Sequence, residues 1–157
     1  MSDTCPLFLA FFNGREHGRS LDRFVAAHDD GPYSHVELAF TDRPRRGTTL
    51  CTSASWRDGG VRFKAIALTS DRWDVLPIPA ASRDVDRARR WCERRVGGRY
   101  DVPGVLAFKL PCLRQRLNWW FCGEFCTAAL QHAGLLPRFE PSRLTPNGLF
   151  RLLHPSR

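Results

Sequence analysis

The chain has 157 residues and a mass of 17.9 kDa, with 43% hydrophobic and 25% charged side chains. That length and balance suit one globular domain with a sizeable core and exclude fibrous, collagen-like and disordered chains. The net charge of +8 suits an anionic partner, but Lys64 and Lys109 are the only lysines, and the 22 arginines are scattered along the chain between positions 15 and 157. A nucleic acid is therefore not the expected partner.

Six cysteines (Cys5, Cys51, Cys92, Cys112, Cys122 and Cys126) are even in number, yet the chain is longer than the small secreted scaffolds that disulfides hold together. The apolar run at 7–12 follows Asp3 without a basic stretch and is too short for a signal segment or a membrane span. The expectation is a soluble, cytoplasmic protein with reduced thiols and at most peripheral membrane contact.

Residues 5–12 form a continuous apolar run closed by the turn pair Asn13-Gly14, the pattern of a buried central strand. Residues 21–27 fit a short helix. After Gly31-Pro32, residues 33–40 alternate with period two, placing Val36, Leu38 and Phe40 on one face and His35, Glu37 and Ala39 on the other. That strand has one apolar face and one chemical face. Further strands are expected at 48–54, 61–66 and 73–78, separated by Asp58-Gly59-Gly60 and Ser70-Asp71, and the section reads as an antiparallel meander.

Residues 82–96 carry the clearest amphipathic helix: Ser82 as N-cap, Asp84 and Asp86 in the first turn, arginines towards the end and Gly97-Gly98 as the stop. Its apolar stripe is Val85, Ala88, Trp91 or Cys92, and Val96. Pro103, Pro111 and the stretch to Arg116 read as a loop with a short helical piece. A second helix is expected over 120–133, with Phe121, Phe125, Ala128, Ala129 and Leu130 at helical spacing and Gly134 as its stop. Strands followed by helices give an α+β class, an antiparallel sheet packed with helices, as one domain over 1–157.

Cys122 falls at or near the start of the second helix, where the positive end of the helix dipole favours a thiolate, and Gly123 would let a substrate approach the backbone. His35 is the matching base, since a cysteine nucleophile needs an imidazole in reach and a polar group to orient it. Glu37, on the same strand face, could orient His35, accept its second ring N–H or contact substrate. Trp119, Trp120 and Phe121 offer either an apolar acyl pocket or ordinary core.

Rival chemistries have less behind them. Cys122 and Cys126 stand four apart, with Cys112 or His132 as further zinc ligands, but no Cys-x2-Cys pair accompanies them, so no metal or other cofactor is expected. Nucleotide loops and the Gly-x-Ser-x-Gly elbow are absent from the sequence. A noncatalytic module of the same fold, binding an anionic partner through Arg87, Arg89, Arg90, Arg94 and Arg95, is the alternative. Those arginines fall around most of one helix, the pattern of a solvated face.

Ser34-His35-Val36-Glu37-Leu38, Asp58-Gly59-Gly60-Val61, Gly98-Arg99-Tyr100-Asp101, Phe121-Cys122-Gly123-Glu124 and Thr145-Pro146-Asn147-Gly148-Leu149 together resemble the circularly permuted branch of the papain-like NlpC-type cysteine hydrolases. In that branch the histidine strand precedes the cysteine helix, as His35 precedes Cys122 here. The resemblance implies a papain-like fold in permuted order, with Cys122 as nucleophile and His35 as general base. Tyr100 would help bind the oxyanion beside the Cys122 N–H. It further implies attack on an amide or ester, an acyl-enzyme, and release to water or an acceptor, on peptide, cell-wall or lipid acyl substrates. Phage-encoded and bacterial members exist. Many relatives carry an acidic residue on the strand after the histidine strand, where this chain has Thr52, Ser53 and Ser55. Glu37 is the substitute third member, and Tyr100, Trp120 and Ser55 are the expected substrate contacts.

Overall fold

Seven strands and five helices order residues 6–28, 30–102, 118–141 and 144–154, the portion of the computed structural model described below. The class is mixed α+β. In chain order the elements are β1 (Leu7–Asn13), α1 (Gly14–His17), α2 (Ser20–His28), β2 (Tyr33–Phe40), β3 (Thr49–Ser55), β4 (Gly60–Ile66) and β5 (Trp73–Pro77). They continue with α3 (Ser82–Glu93), β6 (Arg99–Tyr100), β7 (Trp119–Trp120), α4 (Cys122–His132) and α5 (Pro146–Leu153).

The strands form one sheet in the order β5-β1-β2-β3-β4-β6-β7, antiparallel except for the short β6–β7 pair. β1 is apolar on both faces because β2 and β5 flank it and a core covers each side. Leu7, Leu9 and Phe11 join Val36 and Leu38 in the larger core, against Trp91 and Cys92 of α3, Phe125 and Ala129 of α4, and Leu149 of α5. Ala10 and Ala39 join Cys51, Leu68 and Trp73 in a smaller core on the opposite face. The alternation expected for 33–40 thus separates the two cores.

Four expectations need correction. Residues 73–77 do not extend the meander beyond β4; β5 crosses the sheet to pair with β1, where Trp73 lies opposite Phe12 with ring centroids 5.2 Å apart. The free edge of β4 is taken instead by β6, through Gly60 and Arg99. Ser82 does not cap α3: Ala81 holds the N-cap position in extended conformation, without a side-chain bond. The helix stops at Glu93 rather than Val96, and the chain turns through Gly97 at φ 87°. Trp120 belongs to β7, so α4 begins at Cys122 itself.

The loop expected between Pro103 and Arg116, with Cys112, and the N-terminal Cys5 lie outside the described residues. α5 was no expectation of the pattern. Thr145 caps it by accepting the Gly148 N–H at 3.0 Å, and Pro146 takes the first turn, where a missing N–H costs nothing. Among the described residues no helix is long and apolar enough to cross a membrane.

Candidate active site

The β2–β3 ladder carries only the pairs Leu38↔Thr52 and Ala39↔Cys51. Towards His35 it opens, and there the Ser53 hydroxyl, not a backbone N–H, donates to the Val36 carbonyl at 2.7 Å. α4 packs against β2 and β3 over this opening, with the Cys126 thiol 3.7 Å from the same carbonyl. The first turn of α4 therefore sits where the strands part, and Cys122 there is close enough to His35 to raise its pKa.

His35 Nε2 lies 2.7 Å from Glu37 Oε1. Burial alone would lower the His35 pKa, but its contacts with Cys122 and then with Glu37 outweigh burial and raise it to about 10. The imidazole is thus held as the cation at neutral pH. Its side chain keeps 19% exposure, whereas Glu37 keeps none.

A buried carboxylate needs a partner, and Glu37 has a complete one. Arg62 of β4 donates Nη1 to Oε2 at 2.8 Å and Nη2 to Oε1 at 2.5 Å, a two-pronged pair that keeps the carboxyl ionised against its burial. Arg62 lies opposite Ser53 in the β3–β4 register, and that small residue leaves room for the guanidinium to reach over β3. Arg62 Nε then donates to Asp58 at 2.8 Å, and Lys64 Nζ to the other oxygen of Asp58 at 2.9 Å. The chain Cys122, His35, Glu37, Arg62, Asp58, Lys64 was legible in the sequence only at its first three members. Arg62 and Lys64 alternate on β4 as His35 and Glu37 do on β2, which is the one signal that could have found them.

The other candidates for the third position are committed elsewhere: Thr52 Oγ1 donates to the Arg62 carbonyl at 3.0 Å, Ser53 to Val36, and Ser55 to Asp58. Ser55 and Tyr100 line a cleft of about 530 Å³ together with His35, Glu37, Trp56 and Asp22. Tyr100 stands edge-on to Trp56 at 5.9 Å, and burial, followed by the nearby Cys122, pushes its hydroxyl pKa well up, so it stays a donor. Trp120 does not line this cleft. Its ring packs against Trp91 at 5.5 Å and Phe125 at 5.9 Å, and its buried Nε1 has no hydrogen-bond partner.

Gly123 serves the fold rather than an incoming substrate. A Cβ there would meet the Leu144 carbonyl oxygen at 2.2 Å, so glycine lets the segment entering α5 pass the start of α4. Asn147 of α5 in turn accepts the Tyr33 N–H at 2.9 Å and donates to the Tyr33 carbonyl at 2.8 Å, fixing the β2 end that carries His35. Glu124 is the buried acid that the sequence pattern left without a role. It stands at the third position of α4 and accepts the Phe121 N–H, half of a capping box, while burial raises its pKa to about 8.

Burial pushes the thiols of Cys51 and Cys92 up to about 12 and that of Cys126 well above its ordinary range. Among the described residues no three His, Cys, Asp or Glu side chains converge on a metal-sized site. No protein-family model, curated protein or solved structure matches this chain.

Proposed function

We propose that the protein is a cysteine hydrolase or acyltransferase that acts on an amide or ester through a covalent acyl-enzyme, on a papain-like NlpC-type fold in circularly permuted order. The observation that carries the reading is the His35 imidazole, beside Cys122 at the first residue of a helix and hydrogen-bonded to the buried, arginine-held Glu37. This is a nucleophile, a base and an orienting carboxylate in succession.

With its proton resident on His35, the Cys122 sulfur attacks the carbonyl carbon, forming an S–C bond and an oxyanion. The Cys122 N–H, one of the unbonded donors of the first helical turn, and the Tyr100 hydroxyl receive that oxyanion. His35 passes its proton to the departing nitrogen or oxygen as the C–N or C–O bond breaks. Water, or an acceptor alcohol or amine, then attacks the thioester while His35 takes its proton, and the thiolate leaves. Glu37 holds the ring throughout, and Arg62, which lines the same cleft, keeps Glu37 charged.

Site-resolved iodoacetamide labelling across pH tests the reading. Cys122 is expected to react well ahead of Cys51, Cys92 and Cys126 near neutral pH, and His35→Ala to slow it at least tenfold. Equal labelling of all the cysteines, or labelling of Cys122 that ignores His35, would overturn it. Selective labelling justifies a screen of peptide, ester and lipid acyl substrates.

A further inference from the structure

Beyond the thiol site, α3 carries a surface with a different chemistry. Val85, Ala88, Trp91 and Cys92 are its buried residues. At 100° per residue, Arg83, Arg87, Arg90 and Arg94 fall on the opposite side within an arc of about 60°. All four are exposed. Arg94 is the C-cap residue, and the two other arginines of this segment make contacts of their own: Arg89 pairs with Glu93 at 3.1 Å, and Arg95, past the helix end, lies 3.6 Å over the Trp91 ring and donates to the Trp91 carbonyl. The solvated face expected from sequence thus resolves into one stripe of arginines, an exposed Arg89 paired with Glu93, and Arg95 laid over Trp91.

Within the stripe, Arg83 and Arg87 share one acid, Asp84, at 3.7 and 3.9 Å, whereas Arg90 and Arg94 make no ion pair with a described residue. His132, at the end of α4, lies beside it, its ring 6.3 Å from that of Trp91. Its pKa is lowered, first by burial and then by the charges of Arg94, Arg95 and Arg87. A helix C-terminus ordinarily favours the imidazolium, and here burial and the arginine charges together prevail over it.

We infer that the α3 arginine stripe binds the phosphodiester backbone of a nucleic acid, without reading its sequence. From Arg83 to Arg94 the helix rises about 16 Å at 1.5 Å per residue, the length of about five phosphates along one strand of a duplex at 3.4 Å each. A linear array of planar donors complements a phosphodiester backbone in charge and in hydrogen bonding. A lipid surface fits less well, because the apolar face that an interfacial helix inserts is here buried in the core. This binding is independent of the thiol site, and its failure would leave the cysteine-hydrolase reading untouched.

Fluorescence anisotropy with a labelled 20-base-pair duplex of mixed sequence, at 50 and 200 mM salt, tests it. R87Q/R90Q/R94Q is expected to weaken binding at least tenfold and to flatten the logarithmic salt dependence by about three. R15Q/R43Q/R46Q removes the same charge from other surfaces and is expected to cost less than twofold. The His132 C2–H resonance should titrate at higher pH with duplex bound in the wild type, and unchanged by duplex in the stripe variant. Retained Cys122 labelling certifies that both variants are folded. No binding at 50 mM salt, equal losses in the two variants, or stripe-dependent binding of phosphatidylglycerol vesicles in place of duplex would each overturn the inference.

Discussion

The two flanks of β3 use their backbone differently. Towards β4 it makes seven register pairs, from Thr49↔Ile66 to Ser55↔Gly60; towards β2 it makes two. On the closed flank the hydrogen bonds are spent on the sheet itself. On the open flank the backbone groups are answered by side chains, Ser53 and Cys126 on the Val36 carbonyl, and the gap admits the start of α4. A sheet that admits the start of a helix between two of its strands gives up ladder there and gains a buried ion pair, Glu37 with Arg62.

If the open flank is the functional one, substitutions there should remove activity and those on the closed flank only stability. The largest effect is expected from Cys122→Ser or His35→Ala, which should lower acyl transfer on a screened substrate by about a thousandfold or more, with the melting temperature little changed. In the wild type that rate should fall as pH rises through about 10, where the His35 cation is lost. The sign for stability agrees. A pKa raised above the ordinary 6.5 contributes fully below about 6.5 and its contribution is lost as pH climbs through about 10.

Next in size, Arg62→Met leaves the buried Glu37 with His35 as its remaining partner and should destabilise by up to about 3–5 kcal/mol in a urea melt. Glu37→Gln in the same chain should recover much of that, because the two share one interaction. Val61→Ala on the closed flank, opposite Ala54, should cost about 2 kcal/mol with Cys122 labelling unaltered. If it slows labelling as much as Arg62→Met does, the division between the flanks is wrong.

The smaller effects sharpen the picture of the α4 start. Glu124 stays neutral in the folded chain up to about pH 8 but ionises from about 4.5 once unfolded, so wild-type stability should fall across that window. Glu124→Gln, neutral throughout, should match the wild type at pH 5 and exceed it by about 1–3 kcal/mol at pH 8, read as paired urea melts. Ser53→Ala should cost about 1 kcal/mol, the worth of one hydrogen bond on Val36.

Local pattern carried the chain a long way. Period-two alternation located β2 and its two faces, and with them the pairing of His35 with Glu37, because strand geometry alone puts residues two apart on one side. An apolar helical repeat ended by Gly134 located α4 and brought Cys122 to its start. The arginine spacing of α3 was equally local, but which of those side chains find partners depends on Glu93 and Trp91, and that was not legible.

What only the tertiary structure decided is everything that joins distant elements. β5 left the expected meander for β1 because pairing partners are chosen by the edges and cores that remain available, not by chain order. Arg62 reached Glu37 across β3 because Ser53 is small, and Gly123 met the Leu144 carbonyl instead of a ligand. Trp120 turned inward to Trp91 and Phe125. Sequence by itself determined periodicity, hence elements and their faces, since backbone geometry repeats over a few residues. The contacts of a buried carboxylate, a close backbone approach or an aromatic ring span tens of residues, and they are set by packing that no local repeat encodes.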